Sequence, residues 1–76
     1  MPTEREFTVH FHADPDGGYT VLVPALPEVV TEGDTMEEAR AMAREAIAAV
    51  LEMYDEEGWE VPDDPAPTSE RISVAA

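Results

Sequence analysis

Seventy-six residues enclose one small hydrophobic core and leave no room for a second, so a single domain spanning 1–76 is expected. Eighteen acidic residues stand against four basic ones, all Arg (Arg5, Arg40, Arg44, Arg71), for a formal net charge of −14; this rules out the basic stripe that phosphate backbones require and favours a basic protein partner. There is no Cys to form disulfides, no apolar run near the ~18 residues that span a bilayer, and no targeting pattern in the opening MPTEREF, so a cytoplasmic protein is expected.

A core this small, with neither disulfides nor a Cys/His metal cluster to staple it, gains its extra stabilisation most readily by association. A homo-oligomer, dimer or tetramer, is therefore expected.

Phe7 to Ala13 places Phe7, Val9, Phe11 and Ala13 on one face and Thr8, His10 and His12 on the other, the two-residue period of a half-buried strand. Asp14-Pro15-Asp16-Gly17-Gly18 combines a preset φ, short hydrogen-bonding side chains and glycines, which predicts a hairpin loop. Tyr19 to Val23 is rich in β-branched and aromatic residues and should pair back antiparallel, ended by Pro24, which has no donor for a ladder. A weaker third strand is predicted near Val29 to Glu32, ended by Gly33-Asp34.

Thr35-Met36-Glu37-Glu38 fits a capping box and starts a helix that runs to a left-handed cap at Gly58. Met36, Ala39, Ala43, Ala46, Ile47, Val50, Leu51 and Tyr54 fall on one arc, which should pack on the sheet, its small Ala residues letting the helix lie close to the strands. A large residue at Ala43 or Ala46 is expected to overpack the core by about 1–3 kcal/mol. Met42, Ala49 and Met53 form a second apolar strip that either widens this contact or meets a partner, and Glu38, Glu45, Glu52 and Glu56 lie on the opposite, solvated face. Trp59 is expected to fold back as a lid on the core edge or to join an interface.

Asp63 to Ser69, with Pro65 and Pro67, reads as an extended connector, and Glu70 to Ala75 as a last strand through Ile72 and Val74. A right-handed crossover returns that strand beside the first, in parallel. The prediction is therefore an α+β fold of order β-β-β-α-β: a three-stranded antiparallel meander, one helix packed on the sheet, and a final strand parallel to strand one.

Candidate chemistry is sparse. His10, His12 and Asp14 share a strand face at the spacing that offers two imidazoles and a carboxylate to Zn²⁺, but alternation alone produces the pattern and no fourth ligand is suggested, so no metal or cofactor is expected. No nucleophile elbow, Cys or phosphate loop is present, and the carboxylates sit on helix and loops rather than converging from strand centres as two-metal phosphodiester cleavage requires. A non-enzymatic protein is the better reading.

The run Tyr19-Thr20-Val21-Leu22-Val23-Pro24-Ala25-Leu26-Pro27, followed by Thr31-Glu32-Gly33-Asp34-Thr35-Met36-Glu37-Glu38-Ala39, resembles the HicB antitoxin family, as do Ala43, Glu45, Ala46 and Gly58 to Pro62. The resemblance implies a partial RNase H-like fold and a complex with HicA, a small basic RNA-cleaving toxin whose active surface the antitoxin covers. This chain departs from the family where Glu28-Val29 replaces a common Gly-Cys. Longer members carry a C-terminal DNA-binding segment; none is expected here, nor direct binding to DNA or RNA. Charge complementarity to such a toxin points to Glu45, Glu52, Asp55 and Glu56 as the partner surface, with Met42 and Met53 as apolar contacts. The alternatives are a solitary HicB-like oligomer without a toxin and a vestigial metal-dependent nuclease.

Overall fold

The computed structural model describes residues 5–64 and 70–75. Its elements are β1 (His10–Ala13), β2 (Tyr19–Leu22), β3 (Val30–Gly33) and α1 (Met36–Glu57), and the strands form one antiparallel sheet in the order β1-β2-β3. The three-stranded meander followed by a helix is the α+β arrangement the sequence predicts.

The β1–β2 loop closes through Asp14 N–H donating to Gly18 O (3.0 Å) and Gly17 N–H to Asp14 O (3.0 Å). Gly17 and Gly18 adopt φ of 99° and 81°, the left-handed region in which side chains are strained. The register pairs Phe11 with Val21 and Val21 with Thr31, while His10 pairs with Leu22 and Leu22 with Val30. Cross-strand partners share a face. Val21, wholly buried against Ala39 and Ala43, marks the face beneath the helix, and the row through Leu22 is therefore turned outward.

The predicted first strand, Phe7 to Ala13, is laddered only over His10–Ala13. The register explains the shortfall: His10 already opposes Leu22, the end of β2, and Thr8 would oppose Pro24, which has no N–H to give. Phe7 and Val9 still pack against the core as half-buried side chains. Thr8 finds its partner far along the chain, its N–H donating to Asp64 Oδ1 (2.9 Å) and its hydroxyl to Oδ2 (2.7 Å).

Between β2 and β3 the chain makes two tight turns, with Leu26 N–H donating to Val23 O (3.0 Å) and Val29 N–H to Leu26 O (2.9 Å). These turns drive Val23, Leu26 and Val29 into one cluster with Tyr54, where Leu26 has no exposed surface.

At the helix start, Thr35 Oγ1 accepts from Glu38 N–H (3.1 Å), as a capping box requires, but the Glu38 carboxylate reaches the N–H of Asp34 (3.3 Å) rather than that of Thr35. The helix ends as predicted at Gly58 (φ 70°), with Gly58 N–H donating to Asp55 O (3.2 Å) and Trp59 N–H to Tyr54 O (2.8 Å), the pair of bonds that defines a Schellman cap. Helix α1 lies over β3 and β2. The inner side chains of the first strand region are left at an open cleft of about 300 Å³, lined by Phe7, Val9, Phe11, Ala43 and Ile47 and bordered by Arg40 and Arg44.

The predicted final strand does not form. Residues 70–75 have no regular structure, and Ile72 and Val74 are 76% and 81% exposed. Two large apolar side chains, Ile72 and Val74, on six residues bury little area to offset the ordering of a strand. Much of the connector predicted over Asp63 to Ser69 lies outside the described residues, as does most of the N-terminal MPTEREF.

Candidate functional site

The partner surface expected from charge is carried by α1. Its first-turn acids sit at the positive end of the helix dipole, and its strong helix formers make a rigid 22-residue platform. Ala39, Ala43 and Tyr54 are buried along one stripe, which turns the opposite stripe to solvent. Glu45, Glu52 and Glu56 recur at spacings of seven and four residues and are all exposed, so they form one acidic ridge. Asp55 is exposed too, but at four residues from Leu51 and eleven from Arg44 it lies toward the flank that borders the open cleft.

Met42 and Met53 flank the ridge on its other side, and both are half-buried. Met53 packs against the cluster of Val23, Leu26, Val29 and Tyr54, which ties it to the core. Met42 borders a shallow depression around the β3 edge with Thr20, Val30, Thr31 and Glu32. The six candidate residues thus occupy three adjacent strips: an apolar one from Met42 at the β3 edge to Met53 at the turn cluster, the glutamate ridge, and Asp55 beyond it.

His10 and His12 lie edge to face, with ring centroids 6.3 Å apart. The Asp14 carboxylate is occupied by the Thr20 hydroxyl, which donates to both oxygens at 3.2 and 3.1 Å. Among the described residues no group of three or more His, Cys, Asp or Glu side chains is placed to hold a metal ion. Nor is any described helix long and apolar enough to cross a membrane.

A second polar pairing has no counterpart in the sequence reading. Tyr54 hydroxyl donates to both carboxylate oxygens of Glu28, at 2.7 and 2.9 Å, joining the end of α1 to the β2–β3 turns. The hydrogen bond to Glu28, then burial, then the carboxylate's charge hold the Tyr54 phenol above its ordinary value of 10.0. Trp59 meets Tyr54 edge to face at 5.4 Å and remains 54% exposed, so it covers the core edge while presenting a free aromatic surface.

Residues 7–74 match the family of HicB-like antitoxins of bacterial toxin-antitoxin systems. The chain belongs to that family. It is 39% identical over 62 residues to Antitoxin HicB 2 of Photorhabdus laumondii, a match covering 82% of this chain and 44% of that antitoxin. A UPF0150 protein of Thermoplasma acidophilum is 41% identical over 71 residues, covering 93% of this chain and 99% of the relative. Antitoxin HicB of Escherichia coli K12 is 35% identical over 48 residues, covering 63% of this chain and 35% of the antitoxin. This HicB-like chain therefore spans less than half the length of these HicB antitoxins.

The outward row of the sheet is a feature that sequence reasoning missed. Leu22 and Val30 are 37% and 65% exposed there, on the same face as His10. The available signal was an apolar residue at every position of Val21-Leu22-Val23, which a strand solvated on one face does not need.

Proposed function

We propose that this HicB-like chain is a non-enzymatic antitoxin module that acts in the cytoplasm, where it binds and neutralises a small, basic, HicA-like mRNA-cleaving toxin. The observation that carries this reading is the family match over residues 7–74 on a chain of net charge −14. A toxin that grips RNA carries the cationic surface that this charge attracts, and covering that surface excludes the substrate. The binding surface is the exposed ridge of Glu45, Glu52 and Glu56 with Asp55 beside it, and Met42 and Met53 supply apolar contact along the flank. No cofactor takes part, no nucleic acid is bound directly, and the module associates with itself as a dimer or tetramer.

The test is recovery of the tagged protein from its native cell at low salt, followed by identification by mass of whatever accompanies it in stoichiometric amount. A small basic protein released by added salt supports the reading. Recovery of the chain with itself alone at every salt concentration supports a solitary oligomer and overturns the toxin assignment.

A further inference from the structure

Helix α1 ends on charges that its own dipole disfavours. The negative pole of a helix favours a cation, yet the last turn of α1 carries Asp55, Glu56 and Glu57 and no basic residue. The chain has no base between Arg44, which borders the open cleft, and Arg71. The other segments packed on the same core cluster do not reverse the sign. They bring Glu28 from the β2–β3 turns, Asp63 and Asp64 beyond Val61, and the mutually cancelling Arg5 and Glu6 ahead of Phe7.

Trp59 stands at this uncompensated pole with 54% of its surface exposed. Its backbone is fixed by the cap, where its N–H donates to Tyr54 O at 2.8 Å, and its ring is held edge to face with Tyr54 at 5.4 Å. An edge-to-face pair occupies at most one face of the indole, which leaves the other open. A large aromatic already held in place loses little freedom when a partner binds it. Nucleic acid and anionic lipid are repelled by the surrounding carboxylates, and an apolar partner leaves them uncompensated. A guanidinium meets both demands, since it stacks flat on an indole face and carries the charge that the pole lacks.

We propose that the open face of Trp59 is the docking point for an arginine side chain of a basic protein partner. The ridge of Glu45, Glu52 and Glu56 runs along the helix to this end, so it steers a cationic surface toward the indole and Trp59 anchors it. The inference rests on the antitoxin reading for the protein that supplies the arginine, a toxin, while the recognition chemistry is that of Trp59 and the acids around it.

Trp59 is the only Trp in the chain, so growth on fluorinated tryptophan alters this ring alone. Each added fluorine makes the indole face less negative while nearly preserving its shape. Calorimetric titration of the full chain with hexa-arginine at low salt reads the site without the toxin. Affinity is expected to fall stepwise through mono-, di- and trifluorotryptophan, by about threefold or more at the last, and Trp59→Leu, checked for folding by circular dichroism, is expected to lose at least as much. Affinity constant across the fluorinated series means that charge alone holds the peptide and overturns the proposal, as does a wild type that binds no hexa-arginine. The toxin titrated against the same series should weaken in parallel, and toxin affinity indifferent to fluorination overturns Trp59 as its anchor. A chain that binds hexa-arginine through Trp59 yet binds no toxin supports the arginine site and removes the antitoxin reading instead.

Discussion

Tyr54 and Glu28, twenty-six residues apart, are joined by a two-pronged hydrogen bond of 2.7 and 2.9 Å that fastens the last turns of the helix to the loop carrying the core plug Leu26. Because this pairing favours the protonated phenol, the value for Tyr54 is raised in the folded state above 10.0. A group shifted in that direction contributes stability that is fully present below its unfolded value and is lost as pH rises through the folded one. Denaturant melts at increasing alkaline pH should therefore show a loss of stability beginning above about pH 10. Tyr54→Phe should be less stable at neutral pH and should show a shallower alkaline decline. An identical decline in the variant would count against this coupling.

Gly33 ends β3 directly beneath the helix. A Cβ built there would lie 2.5 Å from the backbone N and 2.7 Å from the Cα of Ala39, neither of which can move without shifting the helix. Gly33→Ala is expected to cost about 1–3 kcal/mol or more, measured by urea unfolding. A neutral result would mean that the first turn of α1 is free to lift.

The predicted overpacking at the helix–sheet contact depends on which alanine is enlarged. Ala39 has no exposed surface, whereas Ala43 borders the open cleft between the helix and Phe7, Val9 and Phe11. Ala39→Leu should destabilise by about 1–3 kcal/mol and Ala43→Leu by clearly less, since the cleft accepts the larger side chain. Equal losses in thermal melts would show that the cleft is closed in solution.

Asp64 tethers the chain beyond the helix to Thr8 through two hydrogen bonds. Asp64→Ala should cost about 1 kcal/mol, the bonds being charge-assisted but only partly buried. It should also raise hydrogen exchange at the Thr8 amide. Exchange unchanged from wild type would place that amide's protection elsewhere.

What the sequence disclosed was local. The Thr35 cap, the Gly58 terminus and the Gly17-Gly18 turn are set by side chains within a few residues of the backbone groups they serve, and each appears at its predicted place. What it hid was set by distant partners. The length of β1 was decided by Pro24 across the register, and Thr8 found Asp64 instead of a strand neighbour. Gly33 looked like no more than the end of a strand, yet it is required because Ala39 lies almost upon it. Helical periodicity is enough to place Glu45, Glu52 and Glu56 on one ridge, and the same periodicity separates Asp55 from them. Ile72 and Val74 alternate like a strand but remain exposed, because alternation supplies a face and not something to cover it.

If the acidic helix face neutralises a basic ribonuclease, the decisive measurement is RNA cleavage by the co-purified or neighbouring HicA-like toxin, followed while this chain is added in increasing amounts. Cleavage should stop at a fixed stoichiometric ratio with the wild type and persist when Glu45, Glu52, Asp55 and Glu56 are all replaced by Arg. Undiminished cleavage at an excess of wild-type protein, or full inhibition by the charge-reversed variant at low salt, would contradict that role.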